Sequence, residues 1–355
     1  MNKTLEFYKG KKVFVTGHTG FKGTWLCRIL LTAGAEVKGY SLAPPTSPSL
    51  FEITGSGADM QSITADIRCF DTLQKELDIF APDIVFHLAA QPLVREGYAA
   101  PRYTYETNMM GTLNLLECIR LSEKGSVRSV LNITTDKVYR NTESLNGYVE
   151  TDYLDGYDPY SNSKSCSELI TAAYRRSFFQ SSSSPAISTA RAGNVIGGGD
   201  YAKDRIIPDC VRAAERGEAV AVRNPLSVRP FQHVLEPLSA YLMIAKAQYE
   251  DKASAGSYNV GPEKSDCITT GELVDLFCKE WGDISWENVS EQHAPHEAGL
   301  LTLDCTKIKT ELGWKPKWNI RKAISETCAW EKARSSGCDM KQFSDQQINA
   351  YFSEV

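Results

Sequence analysis

The feature that limits this chain most is a glycine-rich turn between its first candidate strand and its first candidate helix. The strand covers residues 12–17, and the turn places Gly17, Gly20 and Gly23 in the spacing GxxGxxG. Because glycine has no Cβ, this spacing permits a tight turn, close helix–strand packing, and close approach of a pyrophosphate to the backbone. The phosphate would face amide groups at a helix N-terminus. The turn therefore predicts a dinucleotide site.

Strand-like and helix-like segments alternate through the first half of the chain. Several strands are apolar without polar alternation, as expected when helices cover both faces of a parallel sheet. The alternation predicts an α/β fold with a doubly wound parallel sheet of the Rossmann type. The candidate strands are residues 12–17, 36–40, 62–66, 83–90, 129–135 and 186–191. The candidate helices are residues 21–33, which Gly34 would cap, 70–80, 99–122 and 159–178.

This alternation ends after residue 191, which predicts a second, smaller lobe of mixed α/β structure. Loops are expected at residues 193–205 and 222–234, and helices at 270–282 and 320–334. The predicted division is a dinucleotide-binding domain over 1–190, completed by about 228–262, and a mainly substrate-binding lobe over 191–355.

Composition excludes several classes of partner. The 355 residues carry a formal net charge of -5 with no basic cluster, so nucleic acid is not expected to bind. No apolar run approaches the roughly 20 residues that cross a bilayer, and the start of the chain lacks the pattern of a signal peptide. The ten cysteines show neither CxxC pairs nor zinc spacing. We therefore expect reduced thiols, no metal site and a cytoplasmic location.

The end of the second strand should indicate which dinucleotide binds. An acidic residue there would contact the ribose hydroxyls, and an arginine would favour a 2′-phosphate. The sequence GYSLAPP has neither, so NAD and NADP both remain open. Tyr40 and Ser41 are expected at the ribose, and Asp66 and Ile67 at the adenine.

The segment GYDPYSNSK combines a helix start with a reactive pair. Asp158 suits the N-cap and Pro159 the first helical position, so Tyr160 and Lys164 fall at i and i+4 on one helix face. An ammonium beside a phenol favours the phenolate and lowers the tyrosine pKa. Tyr160 is thus a candidate base for a substrate hydroxyl as hydride leaves its carbon, and Thr135 would hydrogen-bond the same hydroxyl.

With these motifs in view, the chain resembles the extended short-chain dehydrogenases/reductases and, within them, the nucleotide-sugar 4,6-dehydratases, in particular those that act on CDP-glucose. The matching segments are VTGHTGFKGTWL, HLAAQPLVR, TNMMGTLNLLE, TTDKVY, GYDPYSNSK, ARAGNVIGGGDYAKDRIIPD, RPFQHVLEPL and LDCTKIKTELGWKP. The resemblance implies NAD as cofactor and adds contacts from Thr19, Phe21, Lys22, Leu88, Ala89, Ala90 and Asn108, beside Tyr160 and Lys164 themselves.

The resemblance also implies a mechanism. Family members oxidise the sugar at C4, eliminate water across C5 and C6, and return the hydride to C6. Many relatives place Asp-Glu after the threonine as acid and C5 base, whereas this chain has Asp136-Lys137. Either Lys137 is a neutral amine base whose pKa burial and nearby cations lower, or it stays charged and stabilises the enolate while Asp136 handles more of the proton transfer.

The remaining expectations concern substrate and assembly. Arginine forks suit diphosphate oxygens. The expected contacts with the nucleotide-diphosphate sugar are Gln91, Asn194, Arg205, Arg229 and His296. The resemblance further implies a homodimer through a four-helix bundle of residues 99–122 and 159–178, and a role in deoxysugar biosynthesis of the O-antigen type. Two alternatives remain: a nucleotide-sugar 4-epimerase, and a non-catalytic NAD-binding regulator, a class in which Tyr160 or Lys164 would commonly be lost.

Overall fold

A seven-stranded parallel sheet organises the computed structural model, which describes residues 3–290 and 300–354. The strands are β1 Lys12–Thr16, β2 Glu36–Ser41, β3 Gln61–Thr64, β4 Ile84–His87, β5 Ser129–Ile133, β6 Ala186–Ala192, β7 Val195–Ile196, β8 Val220–Val222, β9 Val228–Arg229, β10 Gln232–His233, β11 Ser257–Val260, β12 Ile268–Thr269 and β13 Trp286–Asn288. The order of the large sheet is β3-β2-β1-β4-β5-β6-β11, and all its neighbours are parallel. The predicted doubly wound sheet is confirmed.

Helices cover both faces of this sheet. The helices are α1 Lys3–Tyr8, α2 Phe21–Thr32, α3 Leu50–Ile53, α4 Phe70–Phe80, α5 Val94–Ala99, α6 Pro101–Tyr105, α7 Gly111–Leu121, α8 Pro159–Ser177, α9 Ile206–Arg216, α10 Leu235–Glu250, α11 Thr270–Trp281, α12 Thr306–Leu312, α13 Ile320–Ser335 and α14 Met340–Ser353. A π-helical turn, Glu106–Met110, joins α6 to α7. Within the described ranges no helix combines the length and the apolar character needed to span a bilayer.

The alternation of side chains along β1 shows how the sheet is buried. Val13 and Val15 point into a core formed with α2 and α10, whereas Phe14 points into a second core formed with α4 and α7. A third apolar core lies in the lobe after β6, where α9, α11 and α13 pack around β8. The carboxyl ends of β1, β4 and β5 meet at one edge, which is where ligands bind in open parallel sheets.

The differences from the sequence prediction concern short or distant elements. β11 joins the sheet beside β6, and α10 packs on β5 and β6, although neither was assigned as an element. Residues 193–205 and 222–234 were predicted as loops, but they contain β7 and β10, which pair with each other, and β9, which pairs with β12. Strands of two residues are too short to show a period-2 pattern, so this part of the prediction was wrong.

Candidate active site

The glycine turn forms a tight cradle at the start of α2. Gly17 has φ +76°, and a Cβ there would lie 2.7 Å from the backbone nitrogen of Ala89. A Cβ on Gly23 would lie 2.0 Å from the carbonyl oxygen of Gly17. Gly20 is the N-cap residue of α2, and a Cβ there would meet the Gly17 carbonyl oxygen at an ordinary contact distance of 3.5 Å. At Gly17 and Gly23 the backbone therefore packs so closely on other backbone that a side chain would not fit. This packing is the one expected where a pyrophosphate binds at a helix N-terminus.

Beyond the cradle, hydroxyl groups line the end of β2. The Thr19 hydroxyl donates to the carbonyl oxygen of Leu42 (2.9 Å) and is hydrogen-bonded to the Ser41 hydroxyl (2.9 Å). The Tyr40 ring is buried, and its hydroxyl donates to the carbonyl oxygen of Asp66 (2.9 Å). The Tyr40, Thr19 and Ser41 hydroxyls are thus all engaged in hydrogen bonds within the protein.

A cleft of about 340 Å³ lies where the adenine is expected. Arg68 holds the Asp66 carboxylate in a fork (2.7 Å on the shorter arm), and this hydrogen bond lowers the pKa of Asp66. The same guanidinium lies over the Tyr103 ring and reaches Glu106. Ile67 is buried beneath this cleft against Gly111.

Asn108 and Gln91 anchor the loop that follows β4. Asn108 accepts from the Gln91 amide (2.8 Å) and donates to the Gln91 carbonyl oxygen (3.0 Å) and to the Ser163 hydroxyl (2.9 Å). The Gln91 side chain in turn donates to Thr104 and to the Leu93 carbonyl oxygen. Both amides therefore fix the path of residues 88–91, the segment expected to contact the cofactor and the sugar.

The predicted helix start is present at α8. The Asp158 carboxylate accepts from the Ser161 amide (3.0 Å) and Pro159 is the first helical residue, so the N-cap prediction is confirmed. Lys164 donates to the carbonyl oxygen of Ile133 (3.0 Å), at the end of β5. Burial, with the nearby Lys22 charge, lowers the pKa of Lys164 to about 8.

Tyr160 departs from the expected electrostatics. Burial raises its pKa to about 12, and the neighbouring Thr135 hydroxyl and the charge of Arg205 offset this only partly. The expectation that Lys164 gives Tyr160 a lowered pKa was therefore wrong for the protein alone. The physical reason is that removal from water outweighs the neighbouring cations, and the Lys164 ammonium is directed to a backbone carbonyl.

Asp136 lies between Thr135 and several cations. Its Oδ1 accepts a hydrogen bond from the Thr135 hydroxyl (2.9 Å), and its side chain is almost completely buried. Burial raises the pKa of Asp136, whereas Lys137, the Thr135 bond, Arg229 and Lys22 act in the opposite direction. Lys137 follows on the same short 3-10 turn and is half-buried.

The substrate-lobe candidates approach the same cluster from residues 193–229. Arg205 is held by Asp200 (2.9 Å), which raises the pKa of the guanidinium, and its charge reaches Tyr160. Arg229 is buried on β9 within electrostatic range of Asp136. The backbone of Asn194 accepts from the Gln232 amide (3.1 Å). His296 lies outside the described residues.

A buried ion pair beneath the site escaped the sequence reasoning. Glu168 binds the Arg191 guanidinium through both carboxylate oxygens (3.0 and 2.8 Å) and also accepts from the hydroxyls of Thr134 (2.6 Å) and Thr189 (2.8 Å). Arg191 also donates a hydrogen bond to the Tyr139 hydroxyl (2.7 Å). The available signal was an acidic residue one helical turn after Lys164, at i+4.

Two glycines fix the first turn of α8, and they too were missed. A Cβ on Gly97 in α5 would lie 3.1 Å from the Tyr160 nitrogen. A Cβ on Gly156 would lie 2.3 Å from the carbonyl carbon of Ser161. The backbone that carries Tyr160 is thus packed against two positions where a side chain would displace it.

Comparison with known proteins gives a consistent family assignment. A family model described as GDP-mannose 4,6 dehydratase matches residues 14–327. The chain is 48% identical to the CDP-glucose 4,6-dehydratase of Salmonella typhimurium, covering 98% of each chain. The fold is similar to the UDP-glucose-4-epimerase of Stenotrophomonas maltophila (TM-score 0.80, 21% identity, 92% of this chain and 100% of that one). It is also similar to the dTDP-glucose 4,6-dehydratase of Bacillus anthracis, solved with NAD (TM-score 0.76, 21% identity, 93% and 99%).

Replacing Glu168 with alanine should strongly destabilise the protein. The change leaves the Arg191 charge buried without its carboxylate, and breaking one side of a buried pair costs about 3–5 kcal/mol. Glu263→Ala, which removes the exposed partner of Lys309, should cost less than about 1 kcal/mol. Denaturant unfolding measures both, and the double variant Glu168→Ala/Arg191→Met should recover part of the loss. A loss from Glu168→Ala as small as that of the control would show that the pair does not hold the site together.

Proposed function

The chain belongs to the GDP-mannose 4,6 dehydratase family, and on this premise we propose that it is a nucleotide-sugar 4,6-dehydratase acting on CDP-glucose. The product would be CDP-4-dehydro-6-deoxyglucose, with release of water. The observation that carries the proposal is the grouping of Tyr160, Thr135 and Asp136 in one buried cluster above the sheet edge. The 48% identity with a CDP-glucose 4,6-dehydratase supports the choice of sugar nucleotide.

We propose NAD as the cofactor. Gly17, Gly20 and Gly23 would hold its pyrophosphate, Ser41 and Thr19 its ribose, and the cleft beside Asp66 its adenine. A 2′-phosphate would meet hydroxyls rather than a guanidinium at Ser41 and Thr19, which favours NAD over NADP. When bound, the cofactor would accept a hydride from C4 of the sugar and later return it to C6.

Tyr160 would accept the proton of the sugar C4 hydroxyl. Its pKa of about 12 in the protein alone is too high for an effective base near neutral pH. Positive charge must therefore lower this pKa in the working complex, and the Arg205 charge would contribute together with an oxidised nicotinamide. Thr135 would hydrogen-bond the same sugar hydroxyl.

Asp136 would act as the acid in the elimination. Once C4 is a ketone, the C5 proton becomes removable, and the C6 hydroxyl leaves as water if an acid protonates it. Burial favours the neutral carboxyl of Asp136, which is the form that can donate this proton. Lys137 would then serve either as the C5 base or as a cation that stabilises the enolate.

The diphosphate would be bound from the substrate lobe. Arg205 lies within electrostatic range of Tyr160 and Arg229 within range of Asp136, and Asn194 lies between β6 and β7. Gln91 would contribute from the loop after β4, and His296, which lies outside the described residues, stays a candidate from the sequence alone. Replacing Arg205 or Arg229 with alanine should raise KM for the nucleotide sugar. An unchanged KM would show that the replaced residue does not bind the substrate.

We propose that the protein works as a homodimer through α6–α7 and α8. Exposed apolar side chains on or directly after these helices support this, among them Met110, Leu121, Leu169 and Phe178. Sedimentation at micromolar concentration should give twice the chain mass of 39.3 kDa, and a monomer mass would contradict the proposal.

We also propose a cytoplasmic role in deoxysugar biosynthesis of the O-antigen type. Deletion of the gene should then remove a deoxysugar from surface polysaccharide.

Incubation with CDP-, dTDP-, GDP- and UDP-hexoses tests the reaction directly. With NAD present, CDP-glucose should lose one water by mass spectrometry, faster than the other nucleotides. Tyr160→Phe should lower kcat by roughly 10²–10⁴, because it removes the proton acceptor. A product of unchanged mass with inverted C4 would identify a 4-epimerase instead. Tight NAD binding without turnover of any hexose would identify a regulator.

Substitution of Lys137 separates its two candidate roles. Lys137→Ala should lower kcat by about 10²-fold or more, because a proton-transfer or charge-stabilising group is lost. Lys137→Arg keeps the charge but not a usable base, so retained turnover would favour enolate stabilisation. Uptake of solvent deuterium at C5 of the product reports the base directly. Lys75→Ala on the exposed side of α4 is the control, and unchanged turnover and C5 exchange in Lys137→Ala would exclude both roles.

A further inference from the structure

A segment of the substrate lobe, residues 197–205, reaches from the cofactor cradle to the neighbourhood of the catalytic helix. At its start, a Cβ on Gly197 would lie 3.2 Å from the ring of Phe21, the first residue of α2. Near its end, the carboxylate of Asp204 pairs with Arg95 of α5 at 3.5 Å. The segment therefore spans the region between the proposed cofactor site and the proposed catalytic residues.

The ion pair at the end of this segment brings Arg205 close to the first turn of α8. Arg205 directly follows Asp204 in the chain, and Arg95 lies two residues before Gly97. A Cβ on Gly97 would lie 3.1 Å from the backbone nitrogen of Tyr160. This series of contacts agrees with the influence of the Arg205 charge on Tyr160.

Asp200 holds the Arg205 side chain from one side. One carboxylate oxygen of Asp200 accepts from Nη1 of Arg205 (2.9 Å), and the other accepts from the Ala202 amide (3.1 Å). The Asp200 side chain is 5% exposed, whereas the Arg205 side chain is 32% exposed. The carboxylate is thus the buried half of the pair, and the guanidinium is the half that a ligand can reach.

The Arg205 guanidinium keeps unused hydrogen-bonding capacity. A guanidinium has five N–H donors in a planar fork. Within residues 3–290 and 300–354, the Arg205 side chain makes no hydrogen bond or ion pair other than that with Asp200. The edge formed by Nε and Nη2 therefore remains for two oxygens of a phosphate, bound side by side. Because Nη1 is already fixed, less side-chain freedom is lost when a ligand binds.

The backbone next to Asp200 is anchored on two other helices. The Gly199 amide donates to the Glu331 carboxylate of α13 (2.9 Å). The Gly198 carbonyl oxygen accepts from the indole of Trp25 on α2 (3.1 Å). Since α2 is the helix that begins at the glycine cradle, Asp200 is fixed relative to the proposed cofactor site as well as to its own lobe.

We propose that Asp200 is a positioning residue for phosphate recognition, and that it holds Arg205 so that the Nε–Nη2 edge binds the diphosphate of the nucleotide sugar. This inference rests on the proposed function. Without the Asp200 carboxylate, the guanidinium would keep its charge but sample several rotamers, and it would bind phosphate more weakly. NAD also carries a diphosphate, but the contacts through Asp204 bring Arg205 towards α8, where the sugar is expected to react.

Binding of CDP, which carries the diphosphate but has no sugar to react, tests this assignment. Asp200→Ala should raise the Kd for CDP by roughly tenfold, because a charge-assisted bidentate contact is no longer held in place. Arg205→Ala should raise it at least as much. The double variant should bind no more weakly than Arg205→Ala alone, since Asp200 acts through Arg205. Glu218→Ala, which removes the exposed partner of Arg216, is the control and should leave the Kd unchanged.

Cytidine and NAD separate positioning from other roles of Asp200. Cytidine has no phosphate, so its Kd, followed by NMR titration, should be the same in the wild type and in Asp200→Ala. The Kd for NAD should also be unchanged. Equal weakening of CDP and cytidine would show that Asp200 only supports the fold of the lobe. Weakening of NAD alone would assign Arg205 to the cofactor, and unchanged CDP binding would likewise overturn the inference.

Asp200→Asn is the second variant, should alanine not fold. It keeps the shape of the side chain but loses the negative charge, so it should weaken CDP in the same direction by a smaller factor. In turnover, both variants should raise KM for CDP-glucose more than they lower kcat. If the wild type binds CDP but converts no nucleotide hexose, the proposed function alone has failed. If it binds none of CDP, dTDP, GDP and UDP, the positioning inference is overturned as well.

Discussion

The buried ion pair of Glu168 and Arg191 is the interaction on which the site depends. It joins α8 to β6, and the Thr134 hydroxyl attaches the end of β5 to the same carboxylate. Lys164 lies one turn before Glu168, and Thr135 follows Thr134. The helix that carries Tyr160 and the strand end that carries Asp136 are therefore fixed to each other by one charged group. Such a pair contributes little net stability, but its loss leaves a charge in the core, so its value lies in defining one arrangement.

Close backbone approach provides the second constraint. At the cofactor end, Gly17 and Gly23 exclude side chains so that the turn can close over α2. At the catalytic end, Gly97 and Gly156 allow neighbouring backbone to pack on the first turn of α8. Positions are thus set by backbone contacts, which tolerate little movement, and the polar groups proposed to carry the chemistry lie between them.

The sequence predicted the parts of the molecule whose signals are local. Six of the seven sheet strands, the glycine turn and the Asp158 N-cap follow from short patterns of apolar residues, glycines and caps. β11 pairs with β6 across 68 positions at Ser257 and Thr189, and Glu168 meets Arg191 across 23, so neither contact has a local signature. The pKa of Tyr160 was misjudged because residue types indicate neighbouring charge but not the degree of burial. The placement of Arg205 near Tyr160 and of Arg229 near Asp136 likewise required the folded lobe.

The central claim is that one enclosed site oxidises the sugar, eliminates water and returns the same hydride to C6. The most direct measurement uses CDP-glucose carrying deuterium at C4, mixed with unlabelled substrate of distinguishable mass. We predict that deuterium appears at C6 of the molecule that carried it, with none in the unlabelled substrate's product. Deuterium in solvent, at C4 of an epimer, or shared between the two products would contradict it.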